Sequence, residues 1–244
     1  MRLTLEKRKV TKNEYDDLSF LYAKLNREPN VIIDAGANVG FVTYQFTKRF
    51  EDAKLYSFEP NPAVYDKLKK STNENNNVFA HNIGVGNENT QLIFYKNNNT
   101  GTSSFLVPND FHKSHLARAY KEINVPIIKI GDFCEENDIK RIDILKLDIE
   151  GFELKALMGC EEMLENDNVD FIYAEVNLIP TYDDQCLIED VISFLRKLNY
   201  IPYNFYGNNE TNLRESIITN ILFVSKSIAK ELNSKTSFNS VYVG

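Results

Sequence analysis

The sequence predicts an α/β protein: a doubly wound, mostly parallel sheet with an inserted hairpin or loop and an N-terminal helical extension. Three observations carry this. Short apolar or β-branched runs alternate with helix-patterned segments between residues 31 and 225. The turn Asp34-x-Gly36-x-x-x-Gly40 joins the first such run to the helix after it. The second run closes on an acid, Glu59, about twenty residues beyond the glycines. A chain of 244 residues is long enough to bury one large core.

The elements follow in order. Thr11-Lys12-Asn13-Glu14 has the spacing of a capping box, and Leu18, Leu21, Tyr22 and Leu25 then share one helical face. Pro29 disfavours helix in the residue before it, so residues 1–28 read as an extension packed on the domain, with a cover over a ligand cleft as the alternative. Val31-Ile32-Ile33 marks a strand buried on both faces. Residues 41–50 read as helix, 54–58 as strand, and a helix carrying Val64, Tyr65 and Leu68 leads to a strand over 78–83. From residue 87 the rhythm breaks. Residues 91–95 form an extra strand, Asn97 to Gly101 a turn, and 102–120 a polar insert of the kind that shapes ligand specificity. Residues 125–130 return to strand, 132–137 form a short helix, and 142–149 a strong central strand. A helix over 153–164, a strand over 171–176, a helix over 188–198 and strands over 200–206 and 217–225 complete the pattern. Little pattern follows Ser227, so the chain divides into an extension (1–28), a domain (29–226) and a tail (227–244).

Composition narrows the classes. Hydrophobic residues at 43% and charged residues at 26% exclude disordered and collagen-like chains. Thirty-five acids against twenty-eight bases leave a net charge of −7, the wrong sign for a nucleic-acid partner. Cys134, Cys160 and Cys186 are widely spaced and odd in number, which fits a reducing compartment. Residues 1–9 lack the apolar core of a signal peptide, and no apolar run is long enough to span a membrane. The expectation is a cytoplasmic protein of unassigned oligomeric state.

Glycine at positions 36 and 40 lets backbone groups approach a ligand with no Cβ in the way, and the helix start adds partial positive charge. A dinucleotide site would carry G-x-G-x-x-G, and here Asp34 stands where the first glycine would be. An acid there suits an ammonium-bearing ligand, which argues against a nicotinamide-dependent oxidoreductase. Glu59 can accept both hydroxyls of a ribose. Together these residues describe a nucleoside without phosphates, and S-adenosylmethionine fits. Taken alone, Gly36 and Gly40 could equally form an ordinary tight turn.

The run from Val31 to Thr43 resembles the first motif of FkbM-family methyltransferases, and Phe58-Glu59-Pro60-Asn61 resembles the second. Asn99-Thr100-Gly101-Thr102-Ser103-Ser104 is similar to the family's Gly-x-Ser-Ser loop. Leu145-Lys146-Leu147-Asp148-Ile149-Glu150-Gly151-Phe152-Glu153 resembles its most specific signature, with Gly159 and Glu175 at the expected distances. The resemblance covers residues 31–175 and implies a class I methyltransferase fold, Rossmann-like, with a seven-stranded sheet. It implies S-adenosylmethionine as methyl donor and a hydroxyl of a sugar, glycan or secondary metabolite as acceptor. Carried over, Asp34, Gly36, Asn38 and Gly40 would line the methionine end of the cofactor, with Thr43 close behind. Glu59 would hold the ribose beside Pro60, Asn82 and Ile83 would border the adenine, and Asp148 would face the methyl group.

Methyl transfer to oxygen is an in-line displacement, so alignment supplies much of the rate and a positioned base helps a poor nucleophile. Alternation along a strand puts Lys146, Asp148 and Glu150 on one side, with Glu175 ending the next strand at the same rim. These three acids are the catalytic candidates, and capping of the next helix or pairing with Lys146 is the competing reading. Lys146 reads as a buried partner of an acid, and Glu153 as serving the following helix's first turn. Asp148, Glu175 and Asn177 offer hard oxygen ligands for Mg²⁺. Without an adjacent Asp-Asp or Asp-Asn pair after the fifth strand, a metal is not favoured. Asp183-Asp184 reads as a solvated turn, and His112 and His115 as exposed loop residues, with contact to the acceptor or a role as base as the alternative. Asp148-Ile149-Glu150-Gly151 replaces the Asn/Asp-Pro-Pro-Tyr/Phe string of N-methylating enzymes. A carbohydrate-binding protein that keeps the nucleoside pocket is the alternative, motivated by Tyr95, Phe105, Phe111 and Tyr120 around the insert.

Overall fold

A computed structural model describes residues 13–116, 120–207 and 217–235. Its main sheet joins β1 (Val31–Ala35), β2 (Lys54–Phe58), β3 (Val78–His81), β7 (Ile142–Leu147), β8 (Val169–Asn177), β9 (Tyr200–Tyr206) and β10 (Ile218–Ser225). The order across it is β3-β2-β1-β7-β8-β10-β9, and only β10 runs against the others. Alternation of side chains sorts the central strands between two cores. Ile33, Leu145 and Ile172 face the layer that includes α5 (Ile130–Glu136), α6 (Glu153–Met158) and α8 (Ile188–Lys197). Ile32, Ile144 and Phe171 face α1 (Glu14–Leu25), α2 (Phe41–Arg49) and α9 (Lys226–Lys235). The third helix on the way, α3 (Pro62–Thr72), begins at an Asn61 cap with proline in its first turn.

Four features depart from the sequence expectation. The inserted hairpin is a three-stranded sheet: β5 (Thr90–Asn97) lies antiparallel to β6 (Tyr120–Lys129), whose other edge pairs in parallel with β4 (Gly84–Gly86). The single helix expected over 153–164 breaks into α6 and α7 (Glu161–Glu165) at Gly159. A Cβ there would stand 1.9 Å from the Gly86 carbonyl oxygen, so close approach of the second sheet selects glycine. The N-cap of α1 is Asn13, whose side chain accepts from Tyr15 N, whereas Thr11 and the rest of residues 1–12 lie outside the described residues. The patternless stretch after Ser227 contains most of α9, which buries Ile228 and Leu232 and donates from Lys235 Nζ to the Leu25 carbonyl of α1. Among the described residues, no helix is long and apolar enough to cross a membrane.

Candidate active site

The carboxyl ends of β1, β2, β7 and β8 meet a cavity of about 260 Å³, roofed by the second sheet and the 100–105 segment between its strands β5 and β6. Gly36 and Ala37 donate their N–H groups to the Phe58 carbonyl at 3.0 and 2.9 Å, tying the glycine turn to the exit of β2. Gly36 has φ of 78°, and a Cβ on it would fall 1.8 Å from the Asp148 carbonyl oxygen. Glu59 accepts from Asn38 N at 3.0 Å and Asn61 N at 2.8 Å, one bond to each carboxylate oxygen. Each oxygen keeps a further lone pair for a ligand. Burial pushes the Glu59 carboxyl up to about 7, against the two backbone donors that pull it down.

At the other end stand three acids. One carboxylate oxygen each of Asp148, Glu150 and Glu175 lies within 4.8 Å of the other two. Strand alternation does not explain this, because β7 ends at Leu147. Glu150 and Gly151 adopt left-handed conformations, with φ of 54° and 94°, and the turn returns Glu150 to the cluster. Ser104 Oγ donates to the Glu150 carbonyl at 2.7 Å, and Glu153 accepts from Ile149 N at 2.9 Å and Gly151 N at 3.3 Å. Glu153 therefore braces the turn ahead of its helix, and burial raises its carboxyl to about 7.

The expected site residues divide in two. Gly36, Asn38, Glu59, Pro60, Asp148, Glu150 and Glu175 line the cavity. Asp34, Gly40, Thr43, Asn82 and Ile83 are not part of its lining. Asp34 and Thr43 are fully buried: Thr43 Oγ1 donates to Asp34 Oδ2 at 2.7 Å, and Lys146 Nζ lies 3.1 Å from Asp34 Oδ1. The Asp34 carboxylate is thus occupied by the protein's own cation, in place of the ligand ammonium expected for it. Gly40 caps α2 beside Ser71 and Leu68, lining a separate groove. Asn82 donates to the Glu59 and Pro60 carbonyls at 2.8 and 3.2 Å, bracing the segment that carries Glu59 into the cavity. Ile83 packs against the apolar core.

Lys146 is the buried partner of acids that its position suggested, reaching Asp148 Oδ2 at 3.4 Å and donating to Gly36 O at 3.0 Å. Burial alone would lower its ammonium, but the charges of Asp34 and Asp148 outweigh that and hold it above the usual lysine range. Asn177 donates to Thr181 Oγ1 at 3.3 Å, and the acid grouped with Asp148 and Glu175 is Glu150. His112 is buried, contrary to expectation, with Nε2 at 3.1 Å from Tyr182 Oη, while His115 stacks on Phe111 in the exposed part of the insert. Of the four aromatic residues considered for sugar stacking, Phe105 lines the cavity, and Tyr95 and Tyr120 pack on each other. Tyr182 escaped the sequence reading. Its one signal is an aromatic residue in the otherwise polar run Thr181-Tyr182-Asp183-Asp184.

The strand order, the glycine turn and the acid closing β2 define a class I methyltransferase fold. The chain belongs to the FkbM methyltransferase family: the methyltransferase FkbM domain matches residues 34–202. It is 25% identical over 190 residues to 2-O-methyltransferase NoeI of Sinorhizobium fredii, covering 73% of each chain. It is 23% identical over 151 residues to hexuronic acid methyltransferase AglP of Haloferax volcanii, covering 62% of this chain and 57% of that one. Across the curated relatives it matches, the chain spans 57 to 73% of their length. Among solved structures, magnesium protoporphyrin IX methyltransferase from Synechocystis, crystallised with bound SAM, superposes with a TM-score of 0.50. That pair shares 11% identity over 88% of this chain and 79% of the other, a likeness of fold alone.

Proposed function

We propose that this protein is an S-adenosylmethionine-dependent O-methyltransferase acting on a hydroxyl of a sugar, a glycan or another small metabolite. The observation that carries the reading is one cavity with Glu59 at one end and Asp148, Glu150 and Glu175 at the other. The residues present fit the donor: Glu59 keeps lone pairs for two ribose hydroxyls, and the absence of a Cβ at Gly36 leaves the turn seated on Asp148. When bound, the sulfonium supplies an already activated methyl group. Gly36, Asn38 and Pro60 shape the donor's seat, and the acid cluster orients the acceptor hydroxyl and takes its proton. The name of NoeI, a 2-O-methyltransferase, supports transfer to oxygen, and that of AglP, a hexuronic acid methyltransferase, supports a sugar as the acceptor class.

Calorimetry with S-adenosylmethionine tests the donor half, and an absence of heat at millimolar ligand overturns it. For the acceptor half, a panel of neutral and uronic p-nitrophenyl glycosides is scored by release of S-adenosylhomocysteine. Glycan binding without that product would favour the carbohydrate-binding alternative. Asp148→Ala is expected to cut turnover about 100-fold with little loss of donor affinity, and unchanged turnover removes Asp148 from the mechanism. Mg²⁺ is not favoured in this mechanism, since no adjacent Asp-Asp or Asp-Asn pair follows the fifth strand, so turnover in chelator should match turnover with added Mg²⁺.

The position of Glu59 makes donor binding sensitive to pH. Ribose hydroxyls donate to a carboxylate, so binding favours the deprotonated form of a group lying at about 7. Affinity for S-adenosylmethionine should fall about tenfold from pH 8 to pH 6. Glu59→Gln should bind weakly with a flat profile, and a flat wild-type profile overturns the assignment. Stability moves the other way. With a folded value of about 7 against an unfolded 4.5, the native protein retains a proton that the unfolded chain loses. The stabilising share of Glu59 is complete below the unfolded value and declines as pH rises towards 7.

A further inference from the structure

Among the described residues, three uncharged polar side chains line the cavity: Asn38 on the floor, and Thr100 and Ser103 on the roof. They meet where the roof closes on the glycine turn. Between β5 and α4 (Asp110–His115) the chain makes a 3₁₀ turn over Thr100–Thr102. Thr100 Oγ1 donates to Asn38 Oδ1 at 3.2 Å, which spends the Thr100 proton and fixes the orientation of the amide. The Asn38 NH₂ group then has two protons with no acceptor among the described residues. Ser103 is buried, and its Oγ accepts from Asn97 N, at the end of β5, at 2.9 Å. Its own proton likewise has no acceptor among the described residues. The turn is held from behind, since Tyr182 Oη and Asn97 Nδ2 donate to the Thr102 carbonyl at 3.0 and 3.3 Å. Of the side-chain donors in this lining, Ser103 Oγ and Asn38 Nδ2 are therefore the two left for a ligand.

We propose that Ser103 and the Asn38 amide together hold the α-carboxylate of the methyl donor, so that the roof as well as the floor binds S-adenosylmethionine. The proposal rests on the donor assigned above. A sulfonium carries three arms. With the ribose at Glu59 and the methyl group towards Asp148, the arm ending in the ammonium and carboxylate must leave on the third side. It cannot pass between the glycine turn and Asp148, where even a Cβ on Gly36 would meet the Asp148 carbonyl oxygen at 1.8 Å. The open course runs past Asn38 and under the Thr100–Ser103 segment. Nor can the carboxylate settle against Glu59, Asp148, Glu150 or Glu175, whose like charge repels it. It requires hydrogen-bond donors, and a bond to a charged oxygen is the stronger kind. Ser103 and Asn38 supply them at the place where the third arm ends.

Calorimetry on the full chain tests this by comparing S-adenosylmethionine with its decarboxylated analogue, which keeps the adenosine, sulfonium and ammonium and lacks only the carboxylate. The wild type should bind S-adenosylmethionine at least about tenfold more tightly than the analogue. Ser103→Ala should weaken S-adenosylmethionine about tenfold and leave the analogue within about twofold. Asn38→Asp keeps the side-chain shape and suits the local φ of 49°, but sets a negative charge where the amide nitrogen stood. It should reverse the preference, so that the doubly cationic analogue binds more tightly. Equal losses of both ligands in Ser103→Ala would mean that the serine only supports the turn, and would overturn the proposal. Unchanged affinity for S-adenosylmethionine in that variant would overturn it as well. If the wild type binds both ligands equally, the donor assignment stands and the carboxylate contact falls. If it binds neither, the donor assignment itself fails and takes the proposal with it, so the two failures are distinct.

Discussion

Gly36→Ala is expected to eliminate S-adenosylmethionine binding. The added Cβ would lie 1.8 Å from the Asp148 carbonyl oxygen and 2.9 Å from its carbonyl carbon, a backbone obstacle that no rotamer change relieves. The residue would also have to hold φ at 78°, which costs an L-residue about 1–2 kcal/mol. Relief requires the glycine turn to part from the end of β7, and both segments contribute to the lining of the cavity. The same shift would pull the Gly36 carbonyl from Lys146 Nζ, now 3.0 Å away. Calorimetry should show no heat with the donor at millimolar concentration, while circular dichroism retains the α/β signature. Donor affinity equal to wild type would show that the contact between turn and strand is dispensable.

Lys146→Met should be the most destabilising single change at this rim. It removes the ammonium that sits 3.1 Å from Asp34 and 3.4 Å from Asp148, leaving the Asp34 carboxylate buried with Thr43 as its remaining donor. Breaking a buried pair from one side costs about 3–5 kcal/mol, because the surviving charge has lost both water and partner. Urea unfolding should show a midpoint reduced accordingly with an unchanged slope. The double variant Lys146→Met/Asp34→Asn has no stranded charge and should recover most of the loss. Equal stability of the two variants would mean that the pair is not the source of the effect.

The parts of this architecture that a sequence displays are those governed by local pattern. β2 occupies the expected residues 54–58, since an apolar run between an exposed loop and Glu59-Pro60 leaves few alternatives. The glycine turn, Glu59 and the acids near Asp148 were legible because backbone approach and charge demand particular residue types there. What escaped was set by contacts distant in sequence. Asp34 reads as a ligand group in sequence, and the cation that pairs with it, Lys146, lies 112 positions further along the chain. α9 offers two buried apolar positions, Ile228 and Leu232, too few for periodicity to register before α1 is in place. Gly159 read as a motif residue, yet its requirement comes from Gly86 on another sheet. Tyr182 and His112 meet across 70 residues, and neither carries a local signature of burial.

The two sheets divide the labour around the cavity. The wound sheet supplies the floor, with Gly36, Glu59 and Asp148 at the ends of its strands, whereas the roof draws on Gly84, Phe94 and the 100–105 segment of the insertion. Floor and roof are thus encoded in different stretches of polypeptide. Under the proposed function, exchanging the roof segment alone is a modular path to altered selectivity that leaves Glu59 and the three acids in place.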